Sequence, residues 1–132
     1  MHIQRVALVG HCGFDSGSLS RFAGDVAPGA EVVRVNDQES LDMVVDAQTL
    51  LLVNRVLDGR FYVGGSGIDL IQAVAGRDNA GPTMLISNYE DAQAQAESAG
   101  ALPGFGKSAI EDRATRQRIT DAIASYQASE AS

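Results

Sequence analysis

The sequence predicts a doubly wound α/β domain with a parallel sheet. Three observations carry that prediction. Five short apolar runs alternate with four or five amphipathic stretches along the chain. The runs are too short for helices and rich in Val, Leu and Ile, as strands buried on both faces are. The chain has 132 residues, of which 45% are hydrophobic, enough for one domain around one core.

The first run, Val6-Ala7-Leu8-Val9, ends at Gly10. Ser18 to Val26 reads as a helix, with Asp15 or Ser16 placed to cap its free N–H groups. A Pro28-Gly29 turn leads into Glu31-Val32-Val33-Arg34-Val35. Asp37 to Ala47 carries Leu41, Val44 and Val45 at helical spacing, capped by Asp37 or Ser40. Thr49-Leu50-Leu51-Leu52-Val53 is the most apolar run and reads as a central strand. Ile68 to Ala75 puts Leu70, Ile71 and Val74 on one helix face. Behind the Gly81-Pro82 break comes Thr83-Met84-Leu85-Ile86, then an alanine- and glutamine-rich helix from Asn88 to Ala99 that Gly100 stops. A weak last strand lies around Gly104-Phe105-Gly106. The final helix, Ser108 to Gln127, has a sparse stripe of Ile110, Ile119, Ile123 and Tyr126. One domain over residues 1–127 is expected, with residues 128–132 a frayed, disordered tail.

Charge and composition narrow the function. The formal net charge is -7, which repels phosphate backbones and anionic membranes, so neither nucleic acid nor membrane is an expected partner. The basic run Lys107 to Arg118 is interrupted by Glu111 and Asp112 and reads as a solvated helix face. Cys12 is the sole cysteine, which rules out an internal disulfide and fits a reducing cytoplasm. The N-terminal stretch MHIQRVALVGHCG has neither the length of a membrane span nor the layout of a signal peptide.

Right-handed crossovers place the C-terminal ends of all the strands along one edge, where such sheets bind ligands. The residues to examine are therefore Gly10-His11-Cys12, Asn36-Asp37, Asn54-Arg55, Ser87-Asn88 and Lys107-Ser108. His11 beside Cys12 has no second His or Cys cluster, since His2 lies at the N-terminus, so no metal site is expected. As a nucleophile Cys12 lacks an orienting partner for its base. The segment from Gly10 to Ser18 is rich in Gly and Ser at a strand-to-helix turn, and such loops cradle phosphate in flavodoxins. No dinucleotide or Walker pattern accompanies it.

The second half resembles a known family. Met84-Leu85-Ile86-Ser87, Asp91, Ala99-Gly100-Ala101, Phe105 and Lys107 resemble the receiver domains of two-component response regulators. Leu50 to Arg55 and Gly67 to Ile71 are similar to that family's third strand and third helix, and the likeness runs over roughly residues 3 to 126. It implies a flavodoxin-like five-stranded sheet of order 2-1-3-4-5. It also implies a degenerate phosphoacceptor pocket of Gly10, His11, Asn54, Ser87 and Lys107. Asn54 stands where the family has its phosphorylated aspartate, and Gly10-His11 where it has an acidic pair for magnesium. An amide is a poor nucleophile, and magnesium wants hard oxygen ligands, so no catalytic residue, cofactor or metal is expected. Ser87 and Lys107 match the family's hydroxyl and lysine; Ser108 replaces its usual proline. For Lys107 two roles are open, binding an anion or hydrogen-bonding Asn54 and loop carbonyls, and the second is the favoured expectation.

The resemblance implies a non-enzymatic pseudo-receiver that binds proteins without phosphorylation. Its partner would be a histidine kinase, a regulator or an output protein, with a homodimer as a further option. The implied contact residues are Tyr89, Ala92, Gln95, Phe105, Arg113 and Arg116. The alternative is a small-molecule or phosphate-ligand sensor, closed by the Gly-rich first loop and the long Arg55-to-Ser66 loop with Phe61 and Tyr62. Residual phosphotransfer at Asp58 is a third option, set against a plain turn role for Asp58-Gly59.

Overall fold

The computed structural model describes residues 3–131, without the side chains of Phe14 and residues 129–131. Its elements run β1 (Arg5–Val9), α1 (Gly13–Val26), β2 (Glu31–Val35), α2 (Gln38–Val44), β3 (Thr49–Asn54), α3 (Gly67–Ala75), β4 (Thr83–Ile86), α4 (Glu90–Ser98), β5 (Leu102–Phe105) and α5 (Arg113–Ala131), with a 3₁₀ turn at Lys107–Ala109. All strands are parallel in the order β2-β1-β3-β4-β5. Fold class and strand order are those the sequence implies. His2 and Ser132 lie outside the described residues, as do the side chains of most of the expected tail.

Period-two geometry explains why the strands read as continuous apolar runs. Successive side chains point to opposite faces, and both faces are covered. Val6, Leu8, Leu50, Leu52, Met84 and Ile86 pack against Leu19 and Phe22 of α1 and Ile119 and Ile123 of α5. Ala7, Val9, Leu51, Val53 and Leu85 face Leu41 of α2, Leu70, Ile71 and Val74 of α3, and Ala92 and Ala96 of α4. Burying one such Leu or Ile contributes about 1.5–3 kcal/mol, so the two layers hold the strand ends in fixed register beneath the site.

Several boundaries differ from the sequence reading: α2 ends at Val44 rather than Ala47, and α5 begins at Arg113, five residues after Ser108, behind the 3₁₀ turn. Helix α1 begins at Gly13, five residues before Ser18, and its N-cap is Cys12, which makes no side-chain capping bond. Neither expected cap serves as one: the Ser16 hydroxyl donates to the Cys12 carbonyl at 2.9 Å, and Asp15 sits in the first turn. Residues 13–18 are therefore helix and form no glycine-rich cradle. In α2 the expected cap holds, with Asp37 accepting from the Ser40 N–H at 2.8 Å. Strand β5 runs Leu102–Phe105, shifted toward the N-terminus from the expected Gly104 to Gly106, and its pairing with β4 is irregular. No described helix is long and apolar enough to cross a membrane.

Candidate functional site

The strand C-termini and the loops that follow them meet at one edge, as expected. What the sequence did not disclose is how completely the loop between β3 and α3 closes half of that edge. From Val56 to Ser66 the chain folds back over the ends of β1 and β2. The Asp58 N–H donates to the Gly10 carbonyl at 2.9 Å, Arg60 N–H to Asn36 O at 3.0 Å, and Gln38 N–H to Arg60 O at 2.9 Å. Leu57 and Phe61 turn inward and join the core.

Gly10 is one of two glycines on which this closure depends. Its φ is 75°, a conformation that costs any side chain. A Cβ built there would lie 2.5 Å from Leu57 Cδ2 and 3.1 Å from the Leu57 Cα. The position that the receiver resemblance assigns to an acidic metal ligand is thus filled by a leucine side chain. Gly59, at φ 128°, makes the second close approach, with a Cβ there striking the Asn36 carbonyl. Asp58-Gly59 is a turn whose backbone ties the loop down, and Asp58 is exposed.

His11 does not face the edge at all. It is 0% exposed, and its Nε2–H donates to the Leu52 carbonyl at 2.8 Å. Nδ1 is buried without a partner, so the ring carries its proton on Nε2 and is neutral. Burial pushes its pKa down, against the opposing effect of the Leu52 hydrogen bond, with Lys107 and Asp15 as the nearby charges.

Asn54 acts as a brace. Its Nδ2 donates to the Gly10 carbonyl at 3.0 Å and to the Val56 carbonyl at 2.8 Å, using both hydrogens. Asn36 does the same beside it, donating to His11 O at 3.0 Å and Asp58 O at 2.7 Å. These two amides tie β1, β2, β3 and the long loop together. Amides are suited to this because they donate twice; carboxylates only accept.

Lys107 is not bonded to Asn54, contrary to the sequence expectation. Its Nζ lies 2.6 Å from Asp15 Oδ2. The missing signal was α1 starting early, which turns Asp15 from a loop residue into a first-turn carboxylate facing Lys107. The Lys107 hydrogen bond holds the Asp15 carboxyl below its ordinary pKa range. Ser87 is buried, and its Oγ accepts from the Tyr89 N–H at 3.1 Å. Ser108 donates from both N–H and Oγ to Asn88 Oδ1, at 3.3 and 2.9 Å.

What stays open is a depression of about 460 Å³ lined by Asn54, Arg55, Val56, Ile86, Ser87, Asn88, Tyr89 and Lys107. Of the degenerate-pocket residues, the structure brings Asn54, Ser87 and Lys107 to it; Gly10 and His11 lie elsewhere. Arg55, whose role the sequence left unassigned, sits on its rim with its guanidinium 4.9 Å from the centre of the Tyr89 ring.

The residues present do not fit a receiver-type magnesium site. Leu57 fills one ligand position, His11 is turned into the core, and Asn54 spends its amide on two carbonyls. Among the described residues no group of three or more His, Cys, Asp or Glu is placed to hold a metal ion.

The implied contact residues divide. Tyr89 is 63% exposed, and Gln95 and Arg113 are also exposed. Arg116 is half-buried in ion pairs to Asp25 at 3.2 Å and Glu111 at 3.4 Å. Ala92 and Phe105 are corrections: Ala92 is buried between helices, and Phe105 is 3% exposed with its ring 4.5 Å from that of Phe22. Phe105 is spent on the core, and Ala92 offers only the small part of its surface that floors a groove between α3 and α4.

No family model and no curated protein matches the sequence. Solved structures do match. A response regulator receiver protein from Pseudoalteromonas atlantica aligns at 20% identity and TM-score 0.62 over 89% of this chain and 98% of that one. A response regulator receiver domain from Rhodospirillum rubrum aligns at 10% identity and TM-score 0.64 over 94% of each chain. The Mn(2+)-bound form of response regulator Rcp1 aligns at 12% identity and TM-score 0.60 over 89% of this chain and 90% of that one. At such identities the likeness establishes the fold, which is that of receiver domains.

Proposed function

We propose that this chain is a signalling module of the pseudo-receiver kind: a receiver fold that works by binding a protein rather than by accepting phosphate. The observation that carries this reading is the closed metal-side half of the site. Leu57 packs on Gly10, and Asn54 donates to the carbonyls on either side of it. Phosphoryl transfer to a receiver needs a carboxylate nucleophile with a cation beside it, and here an amide and a leucine occupy those places. The module is therefore not an enzyme and holds one conformation that a partner reads. Its partner is a kinase, regulator or output protein, engaged through the side of the fold that carries Tyr89, Gln95 and Arg113, in the cytoplasm, where receivers act.

Amide NMR of the pure chain with magnesium and beryllofluoride tests it. The expected spectrum is unchanged at Asn54, Ser87 and Lys107. Saturable shifts at those three residues would show a working phosphoryl pocket and end the proposal.

The sensor alternative has less support. The glycine-rich segment that was to cradle phosphate is the first turn of α1, and its Asp15 is paired with Lys107.

A further inference from the structure

Four large hydrophobic residues among those described are exposed: Met43, Val56, Tyr62 and Tyr89. Two of them, Val56 and Tyr89, stand together at the open depression. A second groove of about 500 Å³ adjoins it between the starts of α3 and α4. This groove shares Arg55, Val56 and Tyr89 with the depression and adds Ile68, Ala92 and Gln95. The two hollows form one continuous surface with unlike ends.

The ends differ in chemistry. No carboxylate lines the depression, although the chain has 17 acidic residues against 10 basic ones. Its charged groups are Arg55 and Lys107, and its neutral donors are Asn54, Ser87 and Asn88. Lys107 is neutralised by Asp15. Arg55 has no carboxylate within ion-pair distance among the described residues, and its guanidinium lies over the Tyr89 ring. A guanidinium against an aromatic face keeps its outer N–H groups free for a planar bidentate acceptor. The groove is floored by Val56, Ile68 and Ala92, with its one acid, Asp91, on the α4 side.

We propose that this surface takes an extended segment of a partner protein in which an Asp or Glu is followed within a few residues by an apolar side chain. The carboxylate pairs with Arg55 in the depression, and the apolar residue lies in the groove against Val56, Ile68 and Tyr89. The inference rests on the protein-binding reading above and names the partner chemistry. A peptide fits better than a free anion: a small anion would use the depression alone and leave the adjoining apolar groove at Ile68 and Ala92 uncovered, whereas a segment of chain covers both. It places the contact on the α3–α4 side of Tyr89, beside Gln95.

The test pans the immobilised full chain against a random dodecapeptide phage library. The enriched sequence is then synthesised and its binding measured by fluorescence anisotropy to the wild type, Arg55→Ala and Arg55→Lys. Arg55 is exposed on a loop, so neither substitution disturbs the core. Expected is an acidic-plus-apolar consensus. Its affinity should fall at least tenfold in Arg55→Ala, partly recover in Arg55→Lys and weaken as NaCl rises. A basic or purely apolar consensus overturns the inference, as does no enrichment, or an acidic peptide indifferent to Arg55. So does inorganic phosphate that shifts the Arg55, Ser87 and Asn88 amides while no peptide is enriched; the site would then hold small anions. A selected peptide that shifts Gln93, Ala94 and Glu97 instead removes only this inference and leaves the binding module standing. Beryllofluoride shifts at Asn54 would remove both.

Discussion

Protonation of His11 is expected to destabilise the fold in mildly acidic solution. The ring is 0% exposed, with one nitrogen donating to Leu52 and the other unpartnered. Adding a proton to Nδ1 creates a buried charge and a donor with no acceptor. The folded-state pKa is therefore below the ordinary value of 6.5. In the unfolded chain His11 takes a proton near pH 6.5, and the folded chain refuses it. Between those two pKa values the unfolded state binds more protons, so stability rises with pH there and falls as pH drops. Well above pH 6.5 both states are neutral at His11 and the contribution is flat. One withheld proton is worth at most about 1.4 kcal/mol per pH unit. Because the unfolded chain is only half protonated at pH 6.5, going from pH 6.5 to 5.5 should thus remove up to about 1 kcal/mol. The charges facing His11 are Lys107 and Asp15, which are bonded to each other and largely cancel. Depressed aspartates such as Asp15, Asp37 and Asp42 lose their contributions only as pH falls below their ordinary 3.8, outside this window. The assay is urea denaturation at half-unit steps from pH 7.5 to 5.0 for the wild type and His11→Gln, which stays neutral. The slope below pH 6.5 should be present in the wild type and much reduced in the variant, whatever the variant's absolute stability. A flat wild-type profile, or an equal slope in both, would refute the buried neutral histidine.

Three further outcomes follow from the same geometry. Gly10→Ala combines a positive φ with a collision on Leu57, and should cost about 2–4 kcal/mol in urea melts; pairing it with Leu57→Ala should relieve the collision but not the backbone cost, so the double mutant loses less than the sum of the two. Asn54→Asp removes two donors and sets a carboxylate against two carbonyls, so a loss of about 1–3 kcal/mol is expected, and isothermal titration should still find no magnesium binding. Phe105→Ala should cost about 3–4 kcal/mol in thermal melts while Tyr89→Ala changes stability by less than about 1 kcal/mol, since Phe105 is packed on Phe22 and Tyr89 stands exposed.

The fold was legible because a two-sided parallel sheet leaves a plain trace: Leu50 to Val53 has no polar position to confuse the period, and Gly-Pro pairs mark its turns. Half of the site was legible for a different reason. Ser87 and Lys107 follow strands directly, so their places are fixed by register. Sequence could not show that Leu57 lies on Gly10 or that His11 turns inward, because both depend on how an eleven-residue stretch, 56–66, folds back through backbone bonds. The error at Lys107 arose from a helix boundary. Gly13 and Gly17 are weak helix formers, and they hid the early start of α1 that brings Asp15 to Lys107. Ala92 and Phe105 were misplaced because position on a family's contact face says nothing of burial in this chain.

The changes at the site are coupled, which bears on whether phosphate chemistry is one mutation away. Asn54 needs the Gly10 and Val56 carbonyls as acceptors. Those carbonyls are where they are because the long loop bonds Asp58 N–H to Gly10 and Leu57 N–H to Gly65. Leu57 in turn requires that residue 10 have no side chain. An acid at position 10 would need Leu57 displaced, and displacing Leu57 strips a buried residue from the second core layer. An acid at position 54 would repel the carbonyls that the amide now holds. Each restoration is opposed by a contact belonging to the next, so the residues act as a structural knot rather than as a damaged metal site. It follows that the Asn54→Asp, Gly10→Asp double variant should be less stable than either single variant and still bind no magnesium. Recovery would require replacing the loop from Val56 to Ser66 as well.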